Sequence, residues 1–229
     1  MSAIDYTPFE VLTFDCYGTL IDWESGIAAA MTEALGDHPR EQLLELFGRH
    51  EHAAEVPYRL YREVLAETLR NVAAELGVTV TEEQTDAFGG SVADWPAFPD
   101  SGDALRRLQT RFQLGVITNC DDDLFALSEA RLGVRFDYVI TAEQVGSYKP
   151  DPANFHYAHE RIGVPRSEIL HVAQSLFHDH VPAKQLGMTT VWINRRATRG
   201  GGSGATPPAD AKPDATFPDM AALAADAGV

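Results

Sequence analysis

The sequence predicts an α/β fold, a parallel sheet flanked by helices, with an all-helical segment inserted after the first strand. Three observations carry this reading. From Asp100 onward, short apolar and β-branched runs alternate with amphipathic stretches, as in strand–helix–strand units. A lone strand signal at Val11–Phe14 stands well ahead of that region. Between the two, residues 21–98 carry helical periodicity alone.

The first element is Val11-Leu-Thr-Phe-Asp15-Cys-Tyr-Gly18-Thr-Leu20. It reads as a buried strand that turns into a loop at Asp15 and Gly18. The helical block follows. Glu24 to Leu35 carries Ile27, Met31 and Leu35 at four-residue spacing, and Arg40 to Glu55 holds Leu43, Leu44, Leu46 and Phe47. Pro57 to Leu76 places Tyr61, Val64, Leu65, Leu69, Val72 and Leu76 on one face. Thr81-Glu-Glu-Gln84 reads as a capping box opening a fourth helix.

In the second region, Asp103 to Gln109 reads as helix, Gln113 to Thr118 as strand and Asp121 to Leu132 as helix. Phe136 to Thr141 is a strand, and Asp151-Pro152 opens a helix with Asp as cap. Ile169 to Ala173 is a strand, His180 to Leu186 a helix and Thr189 to Ile193 a strand. Residues 199–208 read as a flexible Gly/Pro-rich loop. Ala215 to Ala225 returns as a short strand and helix at the sheet edge. The domain division expected is a core of residues 1–20 and 99–229, with residues 21–98 as the insert.

The bulk composition of the 229 residues excludes several classes. A net charge of −16 argues against a non-specific nucleic-acid binder, and requires any anion site to be built from local positive groups. No apolar run is long enough to cross a membrane. A secretory signal pattern is missing, so the expected location is cytoplasmic. The two cysteines, Cys16 and Cys120, are read as reduced packing residues.

Four features fall at or just beyond carboxyl ends of expected strands: Asp15, Thr118-Asn119, Lys149-Pro150, and the cluster Gln174 to Asp179. Open α/β sheets bind ligands at those ends, so a carboxylate, a hydroxyl, amides and an ammonium are expected to share one crevice.

This set resembles the haloacid dehalogenase superfamily. Asp15-x-x-Gly18-Thr19 is similar to its first motif, Thr118-Asn119 to its second, Lys149-Pro150 to its third and Ser175-x-x-x-Asp179 to its fourth. The resemblance implies a Rossmann-like core, a cap formed by the insert, and Asp15 as a nucleophile forming a covalent aspartyl intermediate. The phosphatases of that superfamily place a second Asp two residues after the nucleophile, where this chain has Tyr17. They also have Gly-Asp where it has Ala173-Gln174. Magnesium favours hard anionic oxygens, so these residues point away from phosphoryl transfer. Phe14-Asp-Cys-Tyr-Gly-Thr-Leu-Ile-Asp22 and Trp192-Ile-Asn-Arg195 resemble the 2-haloacid dehalogenase branch, which needs no metal or other cofactor.

That resemblance implies attack by Asp15 on the halogen-bearing carbon of a small haloacid, then hydrolysis of the ester to a 2-hydroxy acid. Lys149 would hold Asp15 ionised and Thr19 would orient it. Thr118, Asn119, Tyr17, Gln174 and Ser175 would contact the substrate, and Asp179 would position or activate water. Family members cradle the halide with a cap Arg. Arg49 lies nearest the matching place, with Arg59 and Arg62 as substitutes. The branch also implies a homodimer formed through the cap. Two departures stand out: Phe155 replaces a Tyr six residues after the motif Lys, and His178 is new to the fourth motif. His178 reads either as a proton carrier near neutral pH or, the favoured reading, as a solvent-facing residue at a helix start. The alternatives are a magnesium-dependent phosphatase or phosphonate hydrolase that tolerates Gln174, and a non-catalytic member of the superfamily.

Overall fold

The computed structural model describes residues 3–195 and 208–229. The expected loop at 199–207 lies outside those residues. Six strands form one sheet: β1 (Val11–Phe14), β2 (Gln113–Thr118), β3 (Tyr138–Thr141), β4 (Ile169–Ala173), β5 (Thr189–Ile193) and β6 (Ala215–Phe217). Their order is β3-β2-β1-β4-β5-β6, with every pair parallel. The order reverses at β1, so the crevice for a ligand opens where β1 and β4 end. β1 is central and β4 is buried along its whole length, as expected of strands covered by helices on both faces.

The insert comprises α1 (Trp23–Leu35), α2 (Arg40–Ala54), α3 (Tyr61–Leu76) and α4 (Glu82–Gly90), the last opened by the expected Thr81–Gln84 capping box. The core helices are α5 (Ser101–Leu108), α6 (Asp122–Leu132), α7 (Ala142–Val145), α8 (Ala153–Ile162), α9 (Val181–Gln185) and α10 (Met220–Asp226). Apolar faces of α1–α3 supply Ile27, Met31, Leu43, Phe47, Leu65 and Leu69 to the same buried cluster as Leu12, Phe14 and Val116 of the sheet.

Of the element boundaries that differ from expectation, two bear on the site. α3 begins at Tyr61 rather than Pro57. Its first amides need acceptors, and these come from the core: Tyr61 N donates to Asp121 Oδ1 at 2.6 Å and Arg62 N to Asp121 Oδ2 at 3.0 Å. The segment expected to begin a helix at His180 is preceded by a π-helical turn, Leu176–His180. Ser175 O there accepts from both Asp179 N and His180 N. Such turns absorb one extra residue and recur at functional sites.

The chain leaves the core and returns to it as a narrow ribbon. Ile21 bridges Ala97 antiparallel, Asp22 N donates to Pro96 O, and Phe98 N donates to Leu20 O. Arg195 closes the base of the ribbon. Its guanidinium donates to Thr19 O at 2.7 Å and to Asp100 Oδ1 at 2.7 Å, and it covers the Phe98 ring at 4.1 Å.

Candidate active site

β1 delivers Asp15 one residue past its last paired position, and the loop beyond it turns at once. Gly18 makes the turn with φ +98°, a conformation that a side chain disfavours. A Cβ there would also crowd the Trp23 indole nitrogen at 3.2 Å and Gln174 Oε1 at 3.3 Å. The turn brings Thr19 back onto the carboxylate: its hydroxyl donates to Asp15 Oδ2 at 2.6 Å and accepts from Gln174 N at 2.9 Å. Trp192 on β5 fixes the same backbone by donating its indole N–H to Gln174 O at 2.8 Å.

Lys149 comes from the segment before α8 and is 1% exposed. Its three ammonium protons meet three acceptors: Asp15 Oδ1 at 2.9 Å, Asp179 Oδ1 at 2.7 Å and Ile117 O at 2.7 Å. Asn119 anchors the Lys149 backbone from both sides, donating to its carbonyl and accepting from its amide. Asp179 in turn is held by His171 of β4, whose Nε2 donates to Oδ1 at 3.1 Å. The opposite ring nitrogen, Nδ1, lies 3.0 Å from Thr13 Oγ1 on β1. Asp179 Oδ2 is buried and has no hydrogen-bond partner among the described residues.

Burial opposes every charge in this group, and the partners decide the outcome. Burial and the neighbouring Asp179 charge raise the Asp15 carboxyl above its ordinary 3.8, against the pull of Lys149. For Asp179, burial is outweighed by Lys149 and His171 together, and its carboxyl is held well below the usual range. The Lys149 ammonium, despite burial, is raised by its two carboxylates. Asp179 is thus the firm anion and Asp15 the more basic carboxylate.

A cavity of about 90 Å³ lies above these groups, between the strand ends and the insert. Asp15, Lys149, Asp179 and Asn119 line its floor, joined by Tyr17, Gln174, Ser175 and His178. α2 supplies Gly48, Glu51 and His52, and the residue that caps it, Glu55, as the opposite wall, and Trp23 and Tyr61 complete it. Among the described residues, no three His, Cys, Asp or Glu side chains gather as a metal-binding group.

The family model for haloacid dehalogenase-like hydrolases matches residues 9–179, three quarters of the chain. The chain belongs to that family. It is 28% identical over 215 residues to (S)-2-haloacid dehalogenase H-109 of Pseudomonas putida, covering 87% of this chain and 92% of that protein. The fold is that of the L-2-haloacid dehalogenase PA0810 (TM-score 0.83, 22% identity, 96% and 99% of the two chains). It is equally that of the L-2-haloacid dehalogenase from Xanthobacter autotrophicus, solved with chloropropionic acid covalently bound (TM-score 0.80, 21% identity, 95% and 97%).

Of the residues that the family motifs single out, Asp15, Tyr17, Asn119, Lys149, Gln174, Ser175 and Asp179 all line the cavity, and Thr19 sits directly behind Asp15. Thr118 does not reach it. It is buried at the end of β2, its hydroxyl without a hydrogen-bond partner among the described residues, since successive strand residues face opposite ways. Arg49 is a second correction. Its side chain is 54% exposed and pairs with Glu75 at 3.0 Å, because the cavity face of α2 is the one bearing Gly48, Glu51, His52 and Glu55. Arg62 is also engaged elsewhere, with Asp123, and with Arg59 it lines a separate surface groove.

His178 is the third correction. The π-turn points it into the cavity rather than to solvent, where Ser175 Oγ lies 3.2 Å from Nδ1 and burial lowers its pKa to about 4. Tyr17 lines the cavity with its ring, but its hydroxyl is directed to Cys120 Sγ at 3.3 Å and Ser128 Oγ at 3.0 Å. Both cysteines are free and buried. Phe155 stacks its ring edge-on against His171 at 5.1 Å instead of reaching the cavity.

Sequence reasoning missed His171, Glu51, His52 and Glu55. His171 sits inside an apolar strand run, where it reads as a core residue. Gly48, Glu51, His52 and Glu55 fall at i, i+3, i+4 and i+7, one face of a helix. That periodic polar stripe was visible, but it is also the mark of a solvated face.

Proposed function

We propose that this family member hydrolyses the carbon–halogen bond of short 2-haloalkanoic acids, giving 2-hydroxy acids and halide through an ester on Asp15. The observation that carries the reading is the single buried ammonium, Lys149, shared by Asp15 and Asp179 beneath a small cavity.

Asp15 attacks through one carboxylate oxygen. The new C–O bond forms as the C–X bond breaks, and the pair leaves with halide. Burial favours this step, since a carboxylate stripped of water and raised in basicity is the better nucleophile. Thr19 and Lys149 fix its orientation from the two oxygens. The substrate carboxylate lies toward Asn119, whose second amide proton is not used by Lys149. Water then adds to the Asp15 carbonyl of the ester. Asp179 positions that water through its free Oδ2, and Lys149 stabilises the oxyanion that develops on the former Asp15 carboxylate. Asp179 is too weak a base to remove the proton early, so its role is orientation.

Phosphoryl transfer is poorly served by these residues. Tyr17 occupies the place of the phosphatase acid and directs its hydroxyl away from the cavity. Gln174 adds no negative charge for a cation. The similarity to (S)-2-haloacid dehalogenases supports carbon–halogen cleavage.

The test is halide release from 2-chloropropionate or chloroacetate in the presence of EDTA, with Asp15→Asn as control. Halide from the wild type only, plus a mass gain on the Asp15 peptide after quenching, is expected. Magnesium-dependent phosphate release with no halide from any short haloacid would overturn the proposal.

A further inference from the structure

An in-line displacement sends the leaving group away from the nucleophile. With Asp15 on the floor of the cavity, halide departs toward α2. A halide needs hydrogen-bond donors, and the cations near this wall are engaged. Lys149 has spent its three protons below. Arg49 and Arg62 are paired with Glu75 and Asp123 outside the cavity. The Tyr61 hydroxyl donates to Glu51 Oε1 at 2.7 Å. What the wall does present is a pair of carboxyl groups one helical turn apart, Glu51 and Glu55, beside the Trp23 indole.

We propose that Glu51 and Glu55 are the halide-receiving residues of this chain, a protonated carboxyl donating its hydrogen bond to the departing halide in place of a cationic cradle. The assignment rests on the dehalogenation reading above and deepens it. The electron pair of the C–X bond goes to halide, the proton stays on the carboxyl, and the ester forms on Asp15, so charge moves from floor to wall without a net change.

Two half-buried carboxyls that face one small cavity resist double ionisation. Burial raises Glu51 to about 7, and burial plus the Glu51 charge raises Glu55 to about 9. Of the groups facing them, Tyr61 and Tyr148 are raised above their ordinary range, and His178 is lowered to about 4. Asp15 and Lys149 are raised and Asp179 lowered. His52 is the remaining neighbour, 3.6 Å from Glu55, and is controlled separately below.

The experiment is the pH dependence of kcat for halide release between pH 6 and 10, with chloroacetate and bromoacetate, in the wild type, Glu55→Gln, Glu51→Gln, Glu55→Ala and His52→Gln. In the wild type, kcat falls as pH rises and the pair loses its proton. Glu55→Gln replaces the carboxyl by an amide donor that does not titrate, so its profile flattens across pH 7–9. Glu55→Ala loses about 10- to 100-fold in kcat, and loses more with chloroacetate than with bromoacetate, because the poorer leaving group depends more on the donor. A basic limb unchanged in Glu55→Gln and Glu51→Gln, or one removed by His52→Gln alone, would overturn the assignment while halide release stands. Wild-type protein that releases no halide and traps no ester on Asp15 would overturn the dehalogenation reading, and this assignment with it.

Discussion

Lys149 Nζ stands 2.7 Å from Asp179 Oδ1, with both side chains sealed from solvent. Buried ion pairs hold together only when each charge is answered, and removing one partner strands the other. Here the ammonium answers two carboxylates at once.

Lys149→Met is therefore expected to cost about 3–5 kcal/mol of stability and to abolish halide release. Urea denaturation at pH 7 measures the first and an initial-rate assay the second. A variant as stable as the wild type would mean that the ammonium contributes little to the fold.

His171→Gln keeps a donor near Asp179 but loses the two-ended bridge to Thr13. A positioned water depends on Asp179, so the expected effect is a roughly 10-fold fall in ester hydrolysis. Quenched samples should then accumulate modified Asp15 by mass spectrometry. Slowed ester formation with no accumulation would place the role of His171 elsewhere.

Arg49→Ala tests the corrected reading of the cap. An exposed ion pair contributes about 0–1 kcal/mol, and its side chain lies outside the cavity. Both kcat and Tm are expected to stay close to wild type, and a 100-fold loss of kcat would show that Arg49 does reach the substrate.

The acid side of the pH profile follows from Asp15. Its carboxyl must be ionised to attack, and the fold raises its pKa above 3.8. Ester formation should thus fail as pH drops through a value above that of a free Asp, followed by single-turnover halide release.

Stability carries the opposite signature at the cap. The folded state favours the protonated forms of Glu51 and Glu55, whereas the unfolded chain releases both protons near 4.5. The unfolded state therefore binds fewer protons above that pH, and stability declines from about pH 4.5 toward 9. Glu55→Gln removes part of this decline, so its Tm at pH 8.5 should exceed that of the wild type by roughly 2–8 °C. Equal melting curves at pH 8.5 would show that Glu55 ionises freely in the fold.

Much of this was readable from the chain. The strand bearing Asp15 announces itself by local composition, and Lys149 by its place beyond the third strand. Both signals are short-range or rest on order along the sequence. What escaped depends on rotation and distance. Arg49 is one residue from Gly48 yet about 100° around the helix from it, and only the docking of α2 decides which face looks inward. The inward direction of His178 depends on a single extra residue absorbed in the π-turn. His171 reveals its importance only when β4 lies beside β1 and Thr13 comes within reach of its ring.

The carboxylate of Asp121 ties the insert to the core. Asp121 accepts the first amides of α3, and the ribbon tied by Arg195 joins the insert to the core at a second place. One short loop therefore serves both halves of the molecule, since Asp121 caps the insert helix that carries Tyr61 and Asn119, two residues earlier, holds the Lys149 backbone.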